Sequence, residues 1–146
     1  LSKTANAPLI GSHMSISGGV DKAIIRGASV GCRAVQIFTK SSNQWAAKEL
    51  DDEVVARFKA NMTETGISSV VAHDSYLINL ASPNSDLREK SFHAFLDEMD
   101  RCCKLGIKSL IMHPGASSIS PGGMPKSGGS SYLSAIAGAA TPRCAC

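Results

Sequence analysis

Two apolar rhythms take turns along the first 115 positions of this 146-residue chain. Short continuous apolar runs at residues 8–12, 34–38, 67–72 and 107–112 are each followed by a polar residue or two. Unbroken rather than alternating, they read as strands covered on both faces. Between them lie stretches with apolar residues at three- and four-residue spacing, each closed by a glycine able to take a left-handed cap. The first helix is expected over 19–30, burying Val20, Ala23, Ile24 and Ala28, with Gly31 behind it. The second begins near Asp51, where Asp51, Asp52 and Glu53 favour the positive helix end. It presents Val54, Val55, Phe58 and Met62 and stops at Gly66. The third starts after Pro83 with Asn84 or Ser85 as cap, carries Phe92, Phe95, Leu96, Met99, Cys102 and Cys103, and ends at Gly106.

The resulting order is β-α-β-α-β-α-β, and the closing glycines stand 35 and 40 residues apart, the length of one strand–helix unit. Right-handed units of this kind build either a doubly wound sheet or a (β/α)8 barrel. After Gly115 the rhythm stops. Residues 117–146 are rich in Ser, Gly, Ala and Pro and are expected to be an irregular or disordered tail of low complexity. The expected organisation is therefore a partial barrel over 8–116 followed by that tail.

Charge is divided unevenly. Residues 1–100 hold ten Lys and Arg against twelve carboxylates, whereas residues 101–146 hold five and none, within a net charge of +3. Such a split can mark a nucleic-acid arm, although the tail's composition explains it without one. No apolar run reaches the ~20 residues of a membrane helix, and no basic segment followed by a hydrophobic signal core opens the chain. The chain begins with Leu, so a natural start can lie upstream. Five cysteines, at 32, 102, 103, 144 and 146, form no even framework and point to a reducing, intracellular compartment.

Three of the four histidines, His13, His73 and His113, follow directly on apolar runs. A side chain at the C-terminal end of a parallel strand faces the mouth where ligands bind. Neighbouring strands lie ~4.8 Å apart, so His73 and His113 on adjacent strands can share one metal ion. Two ring donors leave such a site incomplete, since zinc takes at least a third protein ligand. His13 and Asp74 are placed as site-lining, and His93, inside the third helix, as structural or exposed. In the loop after the third strand, Tyr76 and Leu77 can stack on or wedge between nucleobases. The alternative is a histidine capping the core with a tyrosine packed beside it. The loop after the second strand, Lys40-Ser41-Ser42-Asn43-Gln44-Trp45, can grip a phosphate backbone, or it is a solvated loop anchored by Trp45. Nucleotide-cofactor, serine-hydrolase and zinc-ribbon motifs are missing.

At these residues the chain resembles the endonuclease IV family, the zinc-dependent apurinic/apyrimidinic endonucleases of base-excision repair. Residues 73–81 match that family's signature: histidine, two variable residues, tyrosine, two apolar residues, asparagine, an apolar and a small residue. Further likeness lies in Ile10-Gly11-Ser12-His13, Ser17-Gly18-Gly19, Phe38-Thr39-Lys40, Gln44-Trp45 and His113-Pro114-Gly115. The resemblance covers about residues 8–116 and implies the N-terminal half of a (β/α)8 TIM barrel, about four βα units.

It further implies a deoxyribonuclease IV-type hydrolase that cleaves the phosphodiester bond 5′ to an abasic site. His73 and His113 would be ligands of one zinc, in a family that holds three per chain, with no catalytic residue beyond the ligands. DNA contacts would come from Lys40, Ser41, Asn43, Gln44, Trp45, Tyr76 and Leu77. Asn43 stands where many relatives carry arginine, which puts penetration of the duplex there in doubt. The family's bridging glutamate and later ligands have no counterpart after Gly115, so this chain is expected to be truncated and to cleave weakly or not at all. The expected partner is double-stranded DNA with abasic sites, met by a monomer without membrane contact. Its place is the cytoplasm of a bacterium or the nucleus or mitochondrion of a eukaryote. The rivals are a xylose-isomerase-like sugar isomerase or epimerase and a non-catalytic DNA-binding remnant.

Overall fold

In a computed structural model, which describes residues 8–116, the chain folds as the expected series of βα units. Strand β1 spans Gly11–His13, helix α1 Val20–Ser29, β2 Ala34–Phe38, α2 Asp52–Thr65, β3 Ser69–His73, α3 Ser85–Leu105 and β4 Leu110–Ile111. The four strands form one parallel sheet in the order β1-β2-β3-β4. Sequential neighbours joined by helical crossovers are the arrangement of a barrel rather than of a doubly wound sheet, whose order reverses. The expectations for residues 117–146 lie outside the described residues. Among the described residues no helix is long and apolar enough to cross a membrane.

Each helix starts and stops where its sequence says. The Asn84 side chain accepts a hydrogen bond from the Leu87 N–H at 2.9 Å, satisfying one open donor of α3. Asp51 precedes α2, and Asp52 and Glu53 occupy its first turn. Both α2 and α3 end on glycines in the left-handed region, Gly66 and Gly106.

The core lies between the helices and one face of the sheet. Val35 and Ile37 of β2 and Val70 and Ala72 of β3 pack there with Ile24, Phe58, Ile67, Leu105 and Ile107. Gly27 permits this contact: a Cβ at that position would collide with the Val35 side chain, so helix α1 rests directly on the sheet. The alternate residues Ala34, Gln36 and Phe38 are only half-buried. Strands read as covered on both faces are thus fully covered on the helix side alone.

Two expectations are corrected. Strands β1 and β4 are shorter than their apolar runs, because β1 pairs with β2 through three residues and β4 with β3 through two. The buried stripe of α3 is also turned: it consists of Ser91, Ala94, Phe95, Glu98, Arg101, Cys102 and Leu105. Phe92, Leu96 and Met99 are half-buried and Cys103 is exposed. Ionised and hydroxyl side chains occupy inward positions because they meet loop backbone there, not aliphatic core. Cys32 and Cys102 are free.

Candidate functional site

The parallel register carries the histidines to one rim. His13 pairs with Gln36, and Phe38, two residues on and therefore on the same face, pairs with His73. His73 pairs in turn with Ile111, two residues before His113. The rings form a ladder. Centroids lie 4.6 Å apart for His13 and Phe38, 5.6 Å for Phe38 and His73, and 5.2 Å for His73 and His113. Tyr76 leans over it, 5.3 Å from Phe38 and 5.8 Å from His73, with two-thirds of its own surface exposed. His73 is buried although its strand face is otherwise half-open, because these rings cover it.

The rings differ in what they can still bind. His73 Nδ1 lies 2.8 Å from the Asp74 carbonyl, which can only accept, so Nδ1 carries a hydrogen and the lone pair of the neutral ring sits on Nε2. An imidazole oriented by a carbonyl at one nitrogen and open at the other is the usual state of a metal ligand. His13 Nδ1 is 3.1 Å from the Gln36 amide nitrogen. Burial and the neighbouring His73 both hold the His13 ring below its ordinary pKa, which favours the neutral form. It lines a cavity of about 560 Å³ together with Met14, Ile16, Phe38 and Ser41. Among the described residues no group of three His, Cys, Asp or Glu side chains converges on one point. His73 and His113 are thus two neighbouring imidazoles, 5.2 Å apart between centroids, and no third such side chain joins them among the described residues.

The turn after β4 is held against the loop after β3. The Ala81 N–H donates to the Pro114 carbonyl at 2.9 Å, and the Asn79 amide donates to the Ala116 carbonyl at 3.3 Å. Gly115 has a positive φ of 91°, and a Cβ there would collide with Asn79. The asparagine of the motif and the glycine after His113 are two halves of one contact. Asp74, next along the chain from His73, is buried and its Oδ2 has no hydrogen-bond partner. Burial pushes its carboxyl up to about 6, against the opposing pull of His73 and His113.

Helix α3 supplies what the sequence reading missed. Glu98, 1% exposed, accepts from the Thr39 hydroxyl at 2.6 Å and from the Ser75 N–H at 3.1 Å. Desolvation raises its pKa, and those two bonds together with Lys40 oppose the rise. Arg101 donates to the carbonyls of Thr39 and Lys48. Lys40 points inward, its Nζ 2.6 Å from Asp97 and 3.2 Å from the Trp45 carbonyl. The one available signal was charge at 97, 98 and 101 among the apolar positions 94, 95, 102 and 105 of the same helical face.

Of the expected DNA contacts, Ser41, Asn43, Gln44 and Tyr76 are exposed, Trp45 and Leu77 are half-buried, and Lys40 is buried in an ion pair. Trp45 carries the Lys90 ammonium 4.5 Å from its ring centroid. His93 is exposed on α3, beside the cavity that Trp45 and Lys90 also line, as expected of a residue away from the strand ends.

Residues 25–137 match the family described as xylose isomerase-like TIM barrel. The chain is 57% identical over 109 residues to a probable endonuclease 4 of Chloroflexus aggregans, a match covering 75% of this chain and 38% of that protein. Its fold superposes on endonuclease IV from Thermus thermophilus with a TM-score of 0.74 at 32% identity, over 90% of this chain and 48% of that one. A 3-keto-D-glucoside 4-epimerase from E. coli superposes with a TM-score of 0.63 at 15% identity, over 92% and 52%, a likeness of fold alone. The chain thus spans about two-fifths of the length of its curated relative and about half that of the solved structures.

Proposed function

Because the chain belongs to the xylose isomerase-like TIM barrel family, we propose that it carries the N-terminal half of an endonuclease IV-type site. That site would cleave DNA on the 5′ side of abasic residues, inside the cell and as a monomer. The observation that carries this reading is the pair of rings at the strand ends, 5.2 Å apart under an exposed tyrosine.

His73 through Nε2 and His113 would hold one zinc ion, with its remaining protein ligand drawn from outside the described residues. When bound, the metal supplies a nucleophilic hydroxide at neutral pH and a Lewis acid for phosphate oxygens. The protein's own groups do the placing. Tyr76, anchored at its base by the buried Ser75 and resting against Phe38 and His73, keeps most of its surface exposed for a base beside the abasic position to stack on. Leu77 follows it as an apolar wedge. Ser41, Asn43 and Gln44 present hydroxyl and amide groups to a backbone phosphate. Lys40 is committed to Asp97 and stiffens that loop from below.

Fluorescence anisotropy with a duplex containing a tetrahydrofuran abasic analogue, against the same undamaged duplex, tests the reading. Wild-type protein should prefer the damaged duplex, and Tyr76→Ala should lose about tenfold in that preference, since stacking on one base is worth roughly 1–3 kcal/mol. Incision by the 146-residue chain should be weak or absent, because the described residues offer the ion two ring donors and no third His, Cys, Asp or Glu beside them. Equal affinity for both duplexes, together with turnover of ketoses, would transfer the site to sugar chemistry. Retained DNA preference with no zinc bound marks a binding remnant.

A further inference from the structure

We propose that Glu98 is a positioning residue: from the inner face of α3 it fixes the span between the loop after β2 and the loop after β3. The inference rests on the reading above only in taking those loops as nucleic-acid contacts.

The two carboxylate oxygens are divided between the loops. Oε2 takes the hydroxyl of Thr39, the first residue beyond β2, and Oε1 takes the N–H of Ser75, two residues beyond β3. A direct bond from the Ser75 hydroxyl to the Ser42 carbonyl, 2.6 Å, closes the same bridge higher up. Arg101, one helical turn on, holds the first loop at both ends through the carbonyls of Thr39 and Lys48.

Loop backbone leaves donors and acceptors that no strand ladder satisfies, and buried ones must find partners. An aliphatic side chain at 98 would fill the space but leave the Thr39 hydroxyl and the Ser75 N–H unpaired. A carboxylate satisfies both, and its hydrogen bonds have preferred directions where apolar contact has none. Lys40, 4.0 Å away, balances the charge. The loop bases are therefore fixed, while Asn43, Gln44 and Tyr76 stay exposed at the tips. One side chain sets how far apart the two sets of tips stand.

Trp45 is the only tryptophan in the chain and sits in the first loop, so it reports on that loop directly. The 146-residue protein is compared with Glu98→Met, Thr39→Val and Glu98→Gln by acrylamide quenching of Trp45, by thermal melting and by anisotropy with the tetrahydrofuran duplex. Methionine keeps the length and removes both acceptors. Glutamine can keep both bonds, its oxygen taking the Ser75 N–H and its amide donating to a rotated Thr39 hydroxyl.

Glu98→Met should raise Trp45 quenching about twofold, and losing the fixed geometry should weaken binding of the abasic duplex about tenfold. Thr39→Val should follow in the same direction with both buried charges intact, and it carries the test if Glu98→Met fails to fold. Glu98→Gln should return both readouts to near wild type. Altered melting with unchanged Trp45 quenching and DNA binding in the folded variants would overturn the proposal, leaving Glu98 a stabilising residue only. If wild type ignores the abasic duplex while quenching still follows Met, Val and Gln in that order, the loop span stands and the nucleic-acid reading falls.

Discussion

Two regions of this molecule are equally hidden from water and are built from opposite materials. The layer between helices and sheet is aliphatic and aromatic, with Ile24, Ile37 and Phe58 at 0% exposure. The rim at the strand ends buries Thr39 at 0%, Glu98 at 1%, Asp74 at 2% and Lys40 at 3%. Apolar burial is non-directional and adds with area, so the first layer sets how firmly the units stay together. Polar burial costs free energy unless partners stand at set distances and angles, so the second layer gains little net stability but fixes positions. The molecule keeps its geometry-sensitive groups where ligands arrive and its volume-sensitive groups where they do not.

The contrast can be broken most forcefully from the apolar side. Phe58→Ala should cost about 3–5 kcal/mol in urea unfolding, the range for an emptied aromatic core site. Trp45 quenching below the transition should stay at the wild-type value. A small loss, or loosening of Trp45 in the folded state, would mean the two regions are not separable.

A smaller effect is expected from Gly115→Ala, which places a methyl against Asn79 at a positive φ. Such strain costs about 1–3 kcal/mol, and it acts beside His113. Zinc titration should show affinity falling together with stability, and unchanged zinc binding would detach the turn from the histidine it follows.

The mildest effect belongs to Asp74 in zinc-free protein. Its carboxyl titrates at about 6 in the fold against an ordinary 3.8, so the native state binds the proton more tightly than the unfolded chain. Stability contributed by the neutral acid is then lost as pH rises from about 4 to 6. Denaturation across that range should show stability falling with pH in wild type and staying flatter in Asp74→Asn. Parallel profiles would remove Asp74 from the rim's account.

Much of the frame was legible in advance because it depends on local signals. Asn84, Asp51 and the glycines at 66 and 106 act within one turn of chain, and they mark helix ends wherever the rest of the protein lies. The turned stripe of α3 was not legible, since Glu98 and Arg101 look like solvent-facing charges until the loops of two other units lie across them. Lys40 illustrates the same gap. Read along the chain it is a free cation in a polar loop, and in the fold it belongs to Asp97, fifty-seven residues away.

By itself the sequence determined the period of the elements, their caps and the placing of three histidines just beyond apolar runs, all of which follow from contacts a few residues long. Only the tertiary structure decided that His73 and His113 stand 5.2 Å apart and that Glu98 joins two loops. Those facts follow from parallel register and from packing between segments distant along the chain, which local spacing can hint at but does not fix.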